Sequence, residues 1–317
     1  MKAPPRLQAL IDEGLIDTVV RQLMSGKEAQ VYVVRCGDDT RCAKIYKEAN
    51  ARSFRQAVDY TENRKVKNSR QARAMAKGSK FGRASQEAAW QSAEVDALYR
   101  LAGAGVRVPQ PYNFHEGVLL MELVTDANGD AAPRLNDVAF TPEDARKHHA
   151  TLVREVVRML CAGVVHGDLS EFNILLAHDP GPTTDHPTLN AAATHCANDS
   201  SSVLPQEQGE RSVPVIIDLP QAVDAAGNNH AQRMLLRDVA NLRDFFGQFA
   251  PELLTTQYGP EIWGLYAAGL LHEDTPLSGH FKAPTTALDM QGVLREIDDA
   301  RADDAARRLR MQMAAAR

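Results

Sequence analysis

An aspartate and an asparagine five residues apart, directly ahead of an apolar run, limit what this chain can fold into more than any other feature. The segment reads His-Gly-Asp-Leu-Ser-Glu-Phe-Asn and runs from His166 to Asn173. Phosphoryl transfer needs a carboxylate that orients the attacking hydroxyl and accepts its proton, together with oxygen ligands for Mg²⁺. We therefore predict Asp168 as the catalytic carboxylate and Asn173 as a metal ligand. Alone, the pattern also fits an ordinary helix-to-strand turn, where Asp and Asn are common.

A second carboxylate ends another apolar run further along the chain. Val215, Ile216 and Ile217 precede Asp218, as expected for a buried strand that ends in a charged residue. Taken singly, an aspartate after a strand is more often a helix cap or a turn residue. Together with the segment at 166–173 it is the second Mg²⁺ ligand expected from a neighbouring strand, and we predict Asp218 in that role.

Two strands are predicted in the N-terminal part of the chain, at residues 29–35 and 40–46. The segment Ser25–Tyr32 contains the turn that leads into the first strand and the start of that strand. It reads Ser-Gly-Lys-Glu-Ala-Gln-Val-Tyr. It is not a Walker motif, but a small turn ahead of a strand can lie over nucleotide phosphates. Lys44, in the second strand, suits a lysine directed at the same phosphates. An ordinary turn and a surface lysine on an edge strand are the alternatives.

A long helix is predicted at residues 85–102, and it carries an acidic residue on its apolar face. Glu94 shares a stripe, at spacings of three and four, with Trp90, Ala97, Leu98 and Leu101. A carboxylate held against apolar surface without a partner would cost several kcal/mol. We therefore predict an ion pair between Glu94 and Lys44, in which the glutamate holds the lysine at the phosphates. The alternative is that Glu94 reaches solvent at the edge of the stripe.

The order of elements, with strands and a helix first and mostly helices afterwards, predicts an α+β fold with a small sheet lobe and a helical lobe. A second long helix is expected at Thr141–Cys161, with Thr141 as its cap. The predicted divisions are a lead-in at 1–19, an N-terminal lobe at 20–124, a C-terminal lobe at 125–275 and a helical tail at 276–317. The N-terminal lobe contains a mobile basic loop at 48–85, and the C-terminal lobe contains a disordered insertion at 178–212, which holds no aromatic residue.

Charge and hydropathy exclude several classes of protein. The formal net charge is −5, whereas a protein that coats nucleic acid over its whole surface would be basic. No apolar run approaches the roughly 18 residues of a membrane span, and the N-terminus lacks the apolar core of a signal peptide. The four cysteines have no metal-ligand spacing. We expect a cytoplasmic protein with free thiols and no membrane partner, and we favour a monomer.

Eight segments together resemble the RIO family of atypical protein kinases. The resemblance covers roughly residues 20–272. The matching segments are SGKEAQVY (25–32), CAKIY (42–46), WQSAEVDAL (90–98), VPQPY (108–112), LLMELV (119–124), HGDLSEFNIL (166–175), IIDLPQAV (216–223) and LLRDVANLRDFF (235–246).

This resemblance implies a two-lobed protein-kinase-like fold and an ATP- and Mg²⁺-dependent serine/threonine protein kinase or ATPase, with Mn²⁺ as a substitute metal. It implies that Asp168 is the catalytic aspartate and that Lys44 contacts the α- and β-phosphates. The nucleotide would also contact two further groups, the phosphate loop with its following strand and the hinge. Their residues are Ser25, Gly26, Lys27, Glu28 and Val31 for the first, and Met121, Glu122 and Val124 for the second. Two features depart from the family pattern, namely the insertion at 178–212 and Pro220 in place of the usual serine.

The resemblance also implies a protein substrate, with autophosphorylation as one outcome, and a link to maturation of the small ribosomal subunit. Residues 64–83 hold eight Lys or Arg and no acid, which suits RNA or a ribosomal particle. A solvated loop autophosphorylated at Ser69 or Ser79 is an equal alternative. Two other functions stay open, a small-molecule phosphotransferase of the aminoglycoside or choline type and a non-catalytic pseudokinase that binds nucleotide.

Overall fold

A computed structural model of the chain describes residues 3–26, 29–47, 93–179 and 212–281. Most of these belong to one compact unit, Met1–His280, while the second unit, Phe281–Arg317, lies almost wholly outside the described residues. Several expectations therefore fall outside them. These are the basic loop at 48–85, the interior of the insertion at 180–211, the first part of the helix at 85–92 and the tail beyond 281.

The N-terminal lobe is built on a five-stranded antiparallel sheet with the order β1-β2-β3-β5-β4. Its strands are β1 (Thr18–Ser25), β2 (Ala29–Cys36), β3 (Asp39–Tyr46), β4 (Pro111–His115) and β5 (Val118–Glu122). The expected strands at 29–35 and 40–46 are β2 and β3. The two outermost strands, β1 and β4, were not predicted, and only one edge of each is paired.

Helix α1 (Pro5–Asp12) covers the outer face of this sheet. Its Leu7 and Leu10, with Ile16, form one apolar cluster with alternate residues of β3, Ala43 and Ile45. Because side chains alternate along a strand, Lys44 points to the opposite face. The segment expected to be a lead-in at 1–19 therefore covers one face of the sheet, the outer one. Lys44 lies on the other, inner face.

The inner face of the sheet packs on helix α2 (described over 93–103) and on the C-terminal lobe. That lobe contains α3 (Pro142–Cys161), α4 (Ala231–Phe246) and α5 (Tyr258–Ala267). The expected cap is confirmed: the Thr141 side chain accepts the Asp144 N–H at 3.1 Å. Among the described residues no helix is long and apolar enough to cross a bilayer.

Two short antiparallel pairs complete the C-terminal lobe and bring the predicted site segments together. Strand β6 (Val164–Val165) pairs with β9 (Val223–Asp224), and β7 (Ile174–His178) pairs with β8 (Ser212–Ile216). In the second pair Ile174 lies opposite Ile216, so Asn173 and Ile217 meet at the same end, where the Ile217 N–H donates to the Asn173 carbonyl at 3.0 Å. At the other end His178 lies opposite Ser212, so the limits of the expected insertion, 178 and 212, are strand residues.

Candidate active site

A buried lysine joins three elements at the centre of the cleft between the lobes. Lys44 Nζ lies 2.5 Å from Glu94 Oε1 and 3.1 Å from Asp218 Oδ1. The ion pair expected between Glu94 and Lys44 is thereby confirmed. Asp218, which the sequence predicted as a metal ligand and not as a partner of the lysine, is its second partner. Strand β3, helix α2 and the end of β8 are thus held at one point.

The lysine and its two carboxylate partners form a pair of contacts between opposite charges. Only 12% of the Lys44 side chain and 6% of the Glu94 side chain are exposed, whereas Asp218 is half exposed. Burial alone would lower the pKa of Lys44, but Glu94 and Asp218 hold it well above its usual value. For Asp218, burial acts to raise the pKa, and the adjacent Lys44 outweighs that effect and lowers it. Both Lys44 and Asp218 are therefore charged at neutral pH.

The backbone of Asp218 adopts a left-handed conformation, with φ of 67°. Few residues other than glycine occur in this region, and aspartate and asparagine are the commonest because their short polar side chains bond locally. Asp218 lies two positions after β8, between the buried residues Ile216 and Leu219. Its half-exposed carboxylate contacts Lys44, while those two flanking residues remain in the core.

The loop that carries Asp168 is held by its own side chains and by the Asp218 segment. Asp168 is exposed between the buried residues Gly167 and Leu169. Its N–H donates to His166 Nδ1 at 3.3 Å, and the opposite ring nitrogen, Nε2, lies 3.1 Å from the Ile217 carbonyl. Burial lowers the pKa of His166, so the ring is neutral. Because Nδ1 accepts the Asp168 N–H, the ring proton is on Nε2 and is donated to the Ile217 carbonyl. His166 thus ties the loop to the strand end that precedes Asp218.

The predicted metal ligands fit a Mg²⁺ ion in chemistry and in placement. Asn173 Nδ2 donates to the Asp168 carbonyl at 2.8 Å, which orients the amide and leaves its oxygen unused by that contact. Asn173 directly precedes β7, and Asp218 follows β8 by two residues, so both lie at the same end of this strand pair. An amide oxygen and an ionised carboxylate are ligands that Mg²⁺ prefers when phosphate oxygens supply others. Within the described ranges there is no group of three or more His, Cys, Asp or Glu that could hold a metal alone.

The expected phosphate loop begins where β1 ends. The Gly26 N–H donates to the Ala29 carbonyl at 2.9 Å, while Lys27 and Glu28 lie outside the described residues. Val31 and Lys44 are direct partners across β2 and β3, so their side chains share the inner face of the sheet. Lys47 Nζ donates to the Gly26 carbonyl at 2.5 Å and thereby fixes the start of the loop, a contact that the sequence analysis did not anticipate.

The expected hinge follows β5 and offers one unused backbone donor. Val124 is buried, and its carbonyl accepts the Ala132 N–H at 2.9 Å. Its own N–H has no partner among the described residues, as would suit an acceptor nitrogen of adenine. Met121 is half-buried in β5. The Glu122 carboxylate instead accepts two hydrogen bonds from Arg107, at 2.6 and 2.8 Å, so its side chain is already occupied.

Two polar residues of α4 clamp the loop of Asp168 by hydrogen bonds to its backbone. Neither of them was predicted as a site residue. The Asp238 carboxylate accepts the N–H groups of Gly167 and Leu169 at 2.8 and 3.1 Å. Asn241 Nδ2 donates to the Leu169 carbonyl at 2.9 Å. Asp238 is buried, and burial raises its pKa to about 7 although both N–H donors act to lower it. The argument that identified Glu94 applies here too, because Asp238 lies on the apolar stripe of its helix.

Comparison with known proteins gives a consistent result. Residues 30–188 and 209–258 match the family model described as RIO domain. The RIO-type serine/threonine-protein kinase Rio1 of Haloferax volcanii is 35% identical over 240 residues, which are 75% of this chain and 66% of that protein. The serine/threonine-protein kinase rio1 of Schizosaccharomyces pombe is 32% identical over 53% of this chain and 33% of that protein. The chain thus spans slightly less than two thirds of the first relative and one third of the second.

Two crystal structures of Chaetomium thermophilum Rio2 kinase are similar in fold. The ADP/Mg²⁺-phosphoaspartate complex has a TM-score of 0.50 at 22% identity and covers 76% of this chain and 59% of that one. The second structure has a TM-score of 0.54 at 21% identity, with 92% of this chain and 76% of that one covered. The two-lobed, kinase-like α+β fold expected from the sequence is confirmed.

The clamp on the loop can be tested through the Asp238→Asn variant. An amide has one acceptor oxygen, so one of the two backbone N–H groups would be left without a partner. We expect the free energy of unfolding to fall by about 1–3 kcal/mol, the cost of one unsatisfied buried donor. Urea denaturation measures this loss. The control is Asp244→Asn on the exposed side of the same helix, which should change stability by less than about 0.5 kcal/mol. Equal stability of the two variants would contradict the clamp.

Proposed function

The chain belongs to the RIO domain family, and from that premise we propose that it is an ATP- and Mg²⁺-dependent serine/threonine protein kinase or ATPase. The proposed kinase reaction transfers the γ-phosphate of ATP to a protein hydroxyl, and autophosphorylation is one form of it. The observation that carries the proposal is the position of Lys44, whose ammonium lies between the Glu94 and Asp218 carboxylates beside the loop of Asp168. Kinase chemistry uses such a lysine, held by a glutamate, on the phosphates.

In this proposal the nucleotide lies between the sheet and the C-terminal lobe. The Val124 N–H would bind the adenine, and Val31 would pack on it from the sheet. Lys44 would bind the α- and β-phosphates, with Glu94 as the residue that positions its ammonium. Ser25 to Glu28 would cover the phosphates as a backbone cradle. Support comes from the shared inner face of Val31 and Lys44 and from the unused hinge donor.

Asn173 and Asp218 would hold Mg²⁺, which supplies positive charge that offsets the negative charge of the phosphates. Asp168 would accept the proton of the attacking hydroxyl and orient it. Burial raises the pKa of Asp168 above that of an ordinary aspartate. A carboxylate with a raised pKa is a stronger base, which suits acceptance of the hydroxyl proton. The ADP/Mg²⁺ complex of the Rio2 structure supports the proposed nucleotide and metal.

The role of Asp168 can be tested with Asp168→Asn. The amide keeps the shape of the side chain but accepts a proton poorly, so turnover of ATP should fall by roughly 10²–10⁴-fold. Because Asp168 does not contact the nucleotide in this proposal, ATP affinity should stay within about twofold of the wild-type value. Phosphate release, autophosphorylation and calorimetric ATP binding measure the two effects. The control is Asp96→Asn on the exposed face of α2. Turnover within a few-fold of wild type would remove Asp168 from the reaction.

The metal site can be tested with Asp218→Asn, which tolerates the left-handed backbone but has no charge. We expect the affinity for Mg²⁺·ATP to fall by about tenfold or more, because a charged ligand is lost. The affinity for ATP in EDTA should change much less, since Lys44 loses a competing carboxylate and is freer to bind phosphate. Titration calorimetry with and without Mg²⁺ measures the difference. Equal weakening under both conditions would show that Asp218 does not bind the metal.

For a partner, we propose that the basic stretch at 64–83, which lies outside the described residues, binds RNA or a ribosomal particle. Its eight Lys or Arg without an acid support the proposal, because phosphate backbones bind such segments. Replacing Arg64, Lys65, Lys67 and Arg70 by glutamine should abolish co-sedimentation with small ribosomal subunits at low salt. Basal ATP hydrolysis should be unchanged. Co-sedimentation that survives the replacements, or that does not occur with the wild-type protein, would contradict this partner.

A further inference from the structure

Arg134 reaches across the cleft to the strand that leads into the proposed phosphate loop. Its Nη2 lies 3.3 Å from Met24 Sδ, and the two residues are 110 positions apart and belong to different lobes. Met24 directly precedes Ser25, the last residue of β1. The guanidinium therefore lies beside the start of the phosphate loop, although Arg134 itself is part of the C-terminal lobe.

The backbone of Arg134 is fixed by its surroundings. Arg134 forms a β-bridge with Leu175 of β7, and the preceding Pro133 carbonyl accepts the Leu176 N–H at 2.8 Å. The following residue, Leu135, is completely buried in the main core. Only the side chain of Arg134 is free to adjust, so its position at the mouth of the cleft follows from the fold.

The hydrogen-bonding capacity of this guanidinium is largely unused. An arginine has five N–H donors, and a thioether sulfur is a weak acceptor. Within the described part of the chain no carboxylate lies within 4.0 Å of Arg134. Arg107 provides the contrast, because it is bonded to Glu122 through both terminal nitrogens. Arg134 is thus a half-buried cation that lacks an anionic partner.

The backbone of Arg134 also lies beside the predicted metal site, because its bridge partner Leu175 is only two residues after Asn173. The end of β1 lies between two cations, with Lys47 bonded to the Gly26 carbonyl on one side and Arg134 beside Met24 on the other.

We propose that Arg134 binds the polyphosphate chain of the nucleotide, as a second cation in addition to Lys44. In the complex its N–H groups donate to phosphate oxygens in place of the Met24 sulfur. A planar guanidinium suits this task because it can bond two phosphate oxygens at once. The inference rests on the proposed function, since it requires a nucleoside polyphosphate in the cleft.

The test measures the affinity of Arg134→Gln for ATP, ADP and adenosine in the presence of Mg²⁺. Loss of a charged bond to phosphate should weaken ATP binding by about tenfold or more, whereas adenosine, which has no phosphate, should bind within about twofold of wild type. ADP separates the terminal phosphate from the inner ones. Arg134→Lys keeps a charge but not the paired donors, so it should restore part of the ATP affinity. The matched control is Arg21→Gln, which removes an exposed arginine of β1 that pairs with Asp130.

A second variant, Met24→Leu, separates phosphate binding from a contact that only joins the lobes. Suppose that Arg134 serves only to join the lobes through Met24. Then Met24→Leu and Arg134→Gln would each weaken the binding of ATP and of adenosine equally, and this result would overturn the inference. Unchanged ATP affinity in a folded Arg134→Gln protein, checked by its melting temperature, would also overturn it while leaving the proposed function intact. If Arg134→Gln does not fold, the same ligands are measured with Arg134→Lys. A wild-type protein that binds no ATP would refute both.

Discussion

The architecture depends on one buried cation. Lys44 carries its charge on the inner face of a sheet, where an unpaired ammonium would be strongly unfavourable, so two carboxylates must reach it. Glu94 comes from α2 and Asp218 from the end of β8, so satisfying this charge sets the distance between the sheet, the helix and the C-terminal lobe. Such a buried network adds little net stability compared with apolar packing, but breaking it is costly. Its effect is to define a single arrangement of the three elements.

The loop that carries Asp168 follows the same rule on a smaller scale. Its backbone N–H and carbonyl groups cannot pair within a helix or sheet, so side chains from elsewhere satisfy them. Asp238 and Asn241 bind it from α4, and His166 ties it to Ile217. The exposed carboxylate is thereby carried by a loop that several hydrogen bonds hold in place, which is what a group that must meet a substrate at a fixed distance requires.

The sequence predicted those features that leave a mark in periodicity or composition, and it did not predict those that depend on tertiary contacts. Glu94 was found as a partner of Lys44 because a polar residue on an apolar stripe must be paired, and the structure confirms that pair. The same reasoning would have found Asp238, which was overlooked on α4. Strands β1 and β4 were missed because edge strands are half exposed and carry weak alternation. Arg134 could not be anticipated, since it lies in a loop where only the tertiary contact with Met24 reveals its position. The roles given to Asp168 and Asp218 are predictions that the variants above test, and the role given to Asn173 stays a prediction.

Helix α2 has a consequence for how the cleft opens. Its Val95, Leu98 and Leu101 are buried in the same core as α3 and α4, and Arg100 adds a 3.6 Å contact with Asp224. Withdrawing even one such leucine from the core would cost about 1.5–3 kcal/mol. Rigid rotation of one lobe against the other would expose several of them together, so in the proposed enzyme that motion would be a poor route for exchanging ADP for ATP. Under the same proposal, exchange would proceed by movement of the edge strand β1, and the rate of product release would depend on how tightly that edge is held.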